Sequence, residues 1–292
     1  MGALANKPMD HIRQTASPRI IAQAAIQAKL LQTTTNFLKK NMSLSIDIRE
    51  ESGVRTLHFG SEWIQGAMRI ARPWNLELDY TKEMMTSLLL REDTRFPRKV
   101  LLIGLGAASL TKFIYRNQPL AKLTVVEIEP GVVAAARQFF KLPEDPKRLK
   151  IAIGDGAEFV ANSDQTYDLI LVDGFDANAR AGALDTLPFY QAARAHLNDD
   201  GVMAVNLLGH SRGFKGSVER IRSAFDGRVL AFPSCDSGNA IAFAAAGEPI
   251  CISMDDLKHK ALKLKKEMGL NLLPTLTRLE QAKTFKGGML EL

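Results

Sequence analysis

An apolar segment that runs into a glycine-rich turn constrains the fold of this chain more than any other feature. It reads Val100-Leu-Leu-Ile-Gly-Leu-Gly-Ala-Ala-Ser109, and its pattern predicts a buried strand, a sharp turn and the start of a helix. Gly104 and Gly106 can adopt backbone angles that a side chain forbids, so the amides of the turn can approach a ligand closely. The pattern is typical of a nucleotide-binding loop.

Apolar and helical segments alternate along the chain after Pro97. We predict strands over residues 99 to 103, 123 to 127, 150 to 153, 168 to 172, 201 to 207, 228 to 231 and 239 to 245. We predict helices over about 107 to 117, 130 to 140, 156 to 161, 186 to 197 and 214 to 224. Such alternation predicts an α/β fold, a doubly wound Rossmann-like sheet that is mostly parallel, with helices on both faces.

The chain divides into four expected segments. Residues 42–78 read as short antiparallel hairpins and form a small β domain, and 79–253 form the Rossmann-like nucleoside-binding domain. Residues 254–292 are expected to be a helical tail whose last helix frays into Lys286-Gly-Gly. Residues 1–41 read as a helical extension. Because this segment has few acidic residues, it can be interpreted as a transit peptide. The alternative is a helix that docks on this protein or on a second subunit.

Composition and charge exclude several classes of function. The chain has 292 residues, 46% of them hydrophobic, and a formal charge of +6. Basic and acidic residues are interleaved over most of it, so we expect no nucleic-acid partner. No segment has the 18 or so apolar residues of a membrane span, and no signal peptide is visible, so we expect a cytoplasmic protein that binds no membrane. Cys235 and Cys251 read as reduced thiols, and we expect no metal.

Acidic residues follow the predicted strands at the edge where the glycine turn lies. Glu127 closes one strand and would bind both ribose hydroxyls, while Asp155 follows the next and would accept from an adenine amine. The glycine loop itself would accept the amino-acid or sulfonium part of an adenosine-containing ligand. Two alternatives stay open. Asp155 can instead cap the next helix, and a nicotinamide dinucleotide also needs a glycine turn and an acid, although Ser109 replaces its third glycine.

A pair of carboxylates follows the predicted strand that ends at Val172. Asp173 and Asp176 lie three residues apart in a loop, where two carboxylates can hold a cationic amine and one can take its proton during attack on an electrophilic carbon. The loop therefore contains our candidate catalytic residues. The alternative is a solvated turn that is formed by Asp173-Gly174.

These residues, in this order, resemble the spermidine synthase-like family of polyamine aminopropyltransferases, which share the fold of the class I S-adenosylmethionine-dependent methyltransferases. The resemblance covers roughly residues 43 to 246. Six motifs carry it: Trp63-Ile-Gln65, Glu83-Met-Met-Thr86, Val126-Glu-Ile-Glu129, Gly154-Asp-Gly156, Asp173-Gly-Phe-Asp176 and Leu187-Pro-Phe-Tyr190. By this resemblance Gln65 reaches the nucleoside, Gly156 belongs to the adenine motif, and Asp173 and Asp176 are the general base and the amine holder.

The resemblance implies a transferase that moves an aminopropyl group from decarboxylated S-adenosylmethionine to a small amine acceptor, and a homodimer. The chain departs from the family at Ala107, where an aspartate would hold the donor's amine, at Ala177, and at Thr81, where a substrate tyrosine is expected. Tyr80 lies one residue away, about 100° around a helix, and would point elsewhere unless the local geometry shifts. Ala107 would leave room for the carboxylate of ordinary S-adenosylmethionine. A methyltransferase and a silent nucleoside-binding homologue therefore remain alternatives.

Overall fold

Three β-sheets organise the part of the chain that the computed structural model describes, namely residues 45–92, 95–209, 211–233, 238–282 and 284–292. The first sheet is antiparallel and contains β1 (Ile46–Glu51), β2 (Val54–Phe59) and β3 (Ile64–Arg69). This sheet matches the hairpins predicted from the sequence. The predicted extension 1–41 and Cys235 lie outside the described residues.

The central sheet has seven strands in the order β6-β5-β4-β7-β8-β10-β9. Its strands are β4 (Lys99–Ile103), β5 (Lys122–Glu127), β6 (Leu149–Ile153), β7 (Tyr167–Val172), β8 (Leu197–Leu208), β9 (Val229–Pro233) and β10 (Asn239–Ala245). The strands β4 to β8 are parallel, and β10 pairs antiparallel with β8 on one side and with the edge strand β9 on the other. The predicted α/β class with a mostly parallel doubly wound sheet is confirmed.

Helices cover both faces of this sheet. They are α1 (Asp79–Met84), α2 (Ser109–Asn117), α3 (Pro130–Phe139), α4 (Gly156–Ala161), α5 (Leu187–Ala195), α6 (Phe214–Ala224), α7 (Met254–Met268) and α8 (Leu273–Gln281). A 3₁₀ turn at Met85–Leu89 continues α1. Successive residues of the central strands face opposite sides and are buried in both directions, as Leu101 and Leu102 are. This two-sided burial explains why the strands read as continuous apolar runs.

The strand order reverses between β4 and β7, which is where ligands bind in open α/β sheets. The chain leaves β4 for β5 and β6 on one side and returns to β7 on the other. Ile103 pairs with Val126 of β5 and with Val172 of β7, so the carboxyl ends of three strands are level. The loops that follow these strands therefore surround one crevice.

The C-terminal tail differs from the expected helical segment. After α7 and α8 the chain forms a hairpin of β12 (Phe285–Lys286) and β13 (Met289–Glu291), and β13 pairs with β11 (Cys251–Ser253). Gly287 and Gly288 have positive φ angles, which suits the hairpin turn, and Leu290 is fully buried. The predicted fraying at Lys286 is therefore wrong. No helix in the described ranges has the length and apolar character of a membrane span.

Candidate active site

A cavity of about 1130 Å³ lies at the carboxyl ends of the central strands. Its walls come from the β2–β3 hairpin, the start of α1, the loops after β4 to β7, and the end of β8. The structure brings together all of the site residues expected from the sequence, because each of them lines this cavity: Gln65, Gly104, Gly106, Glu127, Asp155, Gly156, Asp173 and Asp176.

The loop after β4 has no space for a side chain at its two glycines. Gly104 has a φ of +92°, and a Cβ placed on it would lie 2.1 Å from the carbonyl oxygen of Asp173. Gly106 has a φ of +49°, and its Cβ would lie 3.1 Å from the carbonyl oxygen of Gln65. The two glycines therefore let the loop pass between β3 and the loop after β7, leaving main-chain atoms as one wall of the cavity.

Glu127 ends β5 with its carboxylate buried beside this loop. Its Oε2 accepts a hydrogen bond from the amide of Leu105 at 2.9 Å, and its Oε1 accepts from the amide of Glu129 at 2.9 Å. Burial raises its pKa, and these backbone donors oppose the rise. Each carboxylate oxygen keeps one lone-pair direction, so Glu127 can still accept two hydroxyl hydrogens.

Asp155 caps α4, which is the alternative that the sequence left open. Its Oδ1 accepts from the amides of Ala157 at 2.7 Å and Glu158 at 3.0 Å. Both bonds use the same oxygen. The neighbouring Gly156 packs on β4, since a Cβ there would lie 2.4 Å from Cγ2 of Ile103. Capping therefore orients the carboxylate, and its role toward adenine stays a prediction.

Asp173 is held from two sides in the first turn after β7. The hydroxyl of Tyr80 donates to its Oδ2 at 3.1 Å, and Nδ2 of Asn206 donates to its Oδ1 at 2.8 Å. Burial raises the pKa of Asp173, and the two hydrogen bonds lower it. A carboxylate with a raised pKa, fixed in orientation and facing a cavity, suits a general base.

The expectation that Tyr80 points elsewhere is wrong. Tyr80 is 8% exposed and lines the cavity, and burial followed by the charge of Asp173 raises its pKa. Thr81, the residue in register with the family's tyrosine, instead turns its Oγ1 back to the carbonyl oxygen of Leu78 at 2.5 Å. The local geometry of α1 therefore brings the shifted tyrosine to the catalytic loop.

Asp176 has its own partners in the same loop. Its Oδ1 accepts from the amides of Asn178 at 2.8 Å and Arg180 at 2.9 Å, and its Oδ2 accepts from Nε of Arg180 at 3.1 Å. Burial opposes ionisation, but these donors hold the pKa of Asp176 below its usual value. Its side chain is 44% exposed. Asp176 is therefore an anion on the cavity wall at neutral pH, and its role as amine holder stays a prediction.

Sequence reasoning missed Asn206. It is 5% exposed on β8 and lines the cavity. Its Oδ1 is buried without a hydrogen-bond partner among the described residues, so it can accept a hydrogen bond from a ligand. The signal was present in the sequence as one amide side chain within the apolar run Val202-Met-Ala-Val-Asn-Leu-Leu208.

The cavity is acidic although the chain as a whole is basic. Among the described residues that line it, the acidic ones are Glu62, Glu77, Asp79, Glu127, Glu129, Asp155, Asp173 and Asp176, and the basic one is Arg180. Arg49, Arg69 and Lys82 neutralise three of these carboxylates, Glu62, Glu77 and Asp79, from outside the lining. A cleft with one predominant sign of charge concentrates ligands of the opposite sign. The cavity therefore favours cationic ligands.

Ala107 leaves no free volume in place of the family's aspartate. It is 2% exposed and is not among the described residues that line the cavity. A Cβ on Gly66 of β3 would lie 2.7 Å from the Ala107 Cβ, so the N-terminal sheet already occupies this space. The room expected for a donor carboxylate beside Ala107 is therefore not present.

Comparison with known sequences identifies the family of this chain. The family model "Spermine/spermidine synthase domain" matches residues 78–210. A polyamine aminopropyltransferase of Chromobacterium violaceum is 35% identical over 245 residues, which cover 84% of this chain and 93% of the relative. One from Neisseria meningitidis serogroup A is 34% identical over 242 residues, 83% of this chain and 91% of that protein. The resemblance expected from the motifs, and with it a transferase, is confirmed.

Solved structures agree on the fold. A probable spermidine synthase from Corynebacterium glutamicum superposes with a TM-score of 0.61 at 18% identity, covering 77% of this chain and 91% of that one. Human methyltransferase-like protein 13, in complex with SAH, gives 0.59 at 23% identity over 66% and 93% of the chains. The sequence relatives and the shared fold lead to one assignment: this chain belongs to the spermine/spermidine synthase family.

Proposed function

We propose that this protein transfers an aminopropyl group from decarboxylated S-adenosylmethionine to a small amine acceptor, in polyamine biosynthesis. The observation that carries the proposal is Asp173, a carboxylate that Tyr80 and Asn206 orient in an acidic cavity beside the glycine loop. Both co-substrates are cations at neutral pH, and the charge of the cavity suits both.

The residues around the glycine loop fit the donor nucleoside. Gly104 and Gly106 keep the wall of the cavity free of side chains. Glu127 would bind the two ribose hydroxyls through the lone pairs that its backbone donors leave free. Asp155 would accept from the adenine amine through Oδ2, because its capping bonds use Oδ1.

The reaction requires alignment and removal of a proton. A protonated amine is a poor nucleophile, so Asp173 first takes a proton from the acceptor ammonium. The nitrogen lone pair then forms a bond to the carbon beside the sulfonium, the carbon–sulfur bond breaks, and sulfur keeps its electron pair in a neutral thioether nucleoside. The product is a secondary ammonium that keeps its two remaining protons, and Asp173 releases the one proton that it took to solvent. Asn206 Oδ1 and Asp176 would hold the acceptor during attack.

The acidic lining also supports the decarboxylated donor over ordinary S-adenosylmethionine. The tail of decarboxylated S-adenosylmethionine is an ammonium, whereas ordinary S-adenosylmethionine adds a carboxylate that the cavity would repel. Packing of Gly66 on Ala107 supports the same choice, because the volume expected for that carboxylate is occupied. We also propose a cytoplasmic homodimer, for which the free, exposed Cys251 and the edge of β1 that no described strand pairs with are the support.

The test is to incubate the purified protein with putrescine and each donor in turn and to resolve the nucleoside product. We expect methylthioadenosine with the decarboxylated donor. S-adenosylhomocysteine with ordinary S-adenosylmethionine would instead establish the methyltransferase. The Asp173→Asn variant is the matched control, because it should bind nucleoside and form neither product. If no nucleoside product forms with a panel of di- and polyamines, the proposal is wrong.

A further inference from the structure

The C-terminal segment contacts the part of the chain that carries Tyr80. Residues 254–292 lie beyond the matched family domain, which ends at 210. Helices α7 and α8 bury an apolar face in the main core, with Leu257, Leu276 and Leu279 almost inaccessible. Two cations of these helices, Lys260 and Arg278, also reach residues 79–91.

Arg278 contacts α1 one turn after Tyr80. Its Nη2 donates to Oε1 of Glu83, and the Glu83 side chain is 1% exposed. Oε2 of Glu83 has no hydrogen-bond partner among the described residues. A buried carboxylate with one partner depends strongly on that partner, because removal of it leaves an uncompensated buried charge. Arg278 therefore fixes the position of Glu83 on α1.

Lys260 holds the other end of the same segment. Its Nζ donates to the carbonyl oxygen of Leu89 at 3.3 Å and contacts that of Arg91 at 3.5 Å. Leu89 ends the 3₁₀ turn that continues α1. A cation at carbonyl groups that a helix end leaves free is favourable. The segment is thus held at its middle by Arg278 and at its end by Lys260.

We infer that Arg278 is a positioning residue, which holds α1 through Glu83 so that the Tyr80 hydroxyl reaches Asp173. Tyr80 and Glu83 are three residues apart on one helix of six residues, so a shift at Glu83 moves Tyr80 as well. The Tyr80 hydroxyl is already 3.1 Å from Oδ2 of Asp173, and a small retreat would break this bond. The inference rests on the proposed function, because Asp173 is the base of that reaction.

Steady-state kinetics can distinguish a positioning role of Arg278 from a role in stability alone. At a pH below the acid limb of the wild-type pH–rate profile, we expect Arg278→Met to lower kcat about tenfold, since misplacement by about 1 Å can cost up to 100-fold. KM for the donor should stay within about twofold, because α1 supplies none of the proposed nucleoside ligands. Arg278→Lys should restore part of kcat. Lys266→Met is the matched control, since this exposed lysine of α7 is in the same C-terminal segment.

A double-mutant cycle with Tyr80→Phe tests whether the effect passes through Tyr80. The inference requires that Arg278→Met adds little further loss of kcat in a Tyr80→Phe background. Additive losses would overturn it. If Arg278→Met does not fold, the nearly isosteric Glu83→Gln takes its place in the cycle, with the same expected pattern.

A readout independent of turnover keeps this inference separate from the proposed function. The carboxyl carbon of Asp173 can be titrated by NMR in protein with ¹³C-labelled aspartate. The Tyr80 hydroxyl lowers the pKa of Asp173, so Arg278→Met should raise this pKa toward its value in Tyr80→Phe. An unchanged pKa overturns the inference. A wild-type protein that is inactive with both donors would refute the proposed function, and the titration would still decide the role of Arg278.

Discussion

Tyr80→Phe is the substitution that most specifically probes the catalytic carboxylate. It removes one hydroxyl that is 3.1 Å from Oδ2 of Asp173 and leaves the ring in place. The hydroxyl stabilises the ionised form of Asp173, so its loss makes protonation of Asp173 easier. A base that is protonated more readily is active only at higher pH. We therefore expect the acid limb of the pH–rate profile to move upward.

The magnitude follows from the kind of hydrogen bond that is lost. A bond to a charged group contributes about 1.5 to 3 kcal/mol, and the lower end applies because Asn206 continues to donate to Oδ1. About 1.4 kcal/mol corresponds to a tenfold change in an equilibrium constant. Well below the acid limb, kcat/KM should therefore fall about tenfold relative to wild type. Above the limb the two enzymes should approach each other.

The assay is kcat/KM for methylthioadenosine formation over a range of pH. Tyr190→Phe is a matched control, because the buried Tyr190 hydroxyl donates to a different carboxylate, Asp185, also at 3.1 Å. It should lower stability without moving the acid limb. A Tyr80→Phe profile with an unchanged limb, or with a limb moved to lower pH, would refute the assigned role of this bond.

Three further substitutions test other parts of the account. Gly104→Ala should abolish nucleoside binding in calorimetry, since its Cβ would lie 2.1 Å from the Asp173 carbonyl oxygen, whereas Gly213→Ala, whose Cβ would meet nothing nearer than Ser211 Oγ at 3.8 Å, should bind normally. Glu127→Gln should weaken nucleoside affinity about 10- to 100-fold by removing charge from the ribose site; unchanged affinity would contradict this. Lys112 is buried, which lowers its pKa to about 7. Between pH 7 and 10 the unfolded chain therefore binds more protons than the folded chain, and the free energy of unfolding of the wild-type protein rises with pH. Lys112→Met should lose this rise in urea unfolding at pH 7 and 9.

The central sheet could be predicted because its strands are apolar on both faces. The predicted bounds 99–103 and 239–245 coincide with β4 and β10. Acids directly after parallel strands meet at one sheet edge, so Glu127 and Asp173 could be placed in one site from spacing alone. These features depend on local pattern and on the topology that the pattern implies.

The remaining features depend on tertiary contacts that spacing does not encode. α1 has six residues, too few for periodicity to fix which side chain faces the cavity, and the turn of Thr81 onto Leu78 decides in favour of Tyr80. β12 and β13 have two and three residues, which is too short for an alternating pattern. The contact between Arg278 and Glu83 joins residues 195 positions apart.

Asp173→Asn tests the central claim most directly, because it removes the base while it preserves shape and the surrounding hydrogen-bonding groups. The measurement is the single-turnover rate of methylthioadenosine formation from saturating decarboxylated S-adenosylmethionine and putrescine, together with the Kd of the nucleoside. The account predicts a loss in rate of about 100-fold or more, typical of a removed general base, with a nearly unchanged Kd. A rate close to wild type, or a large loss of nucleoside affinity, would contradict the role of Asp173 as the proton acceptor.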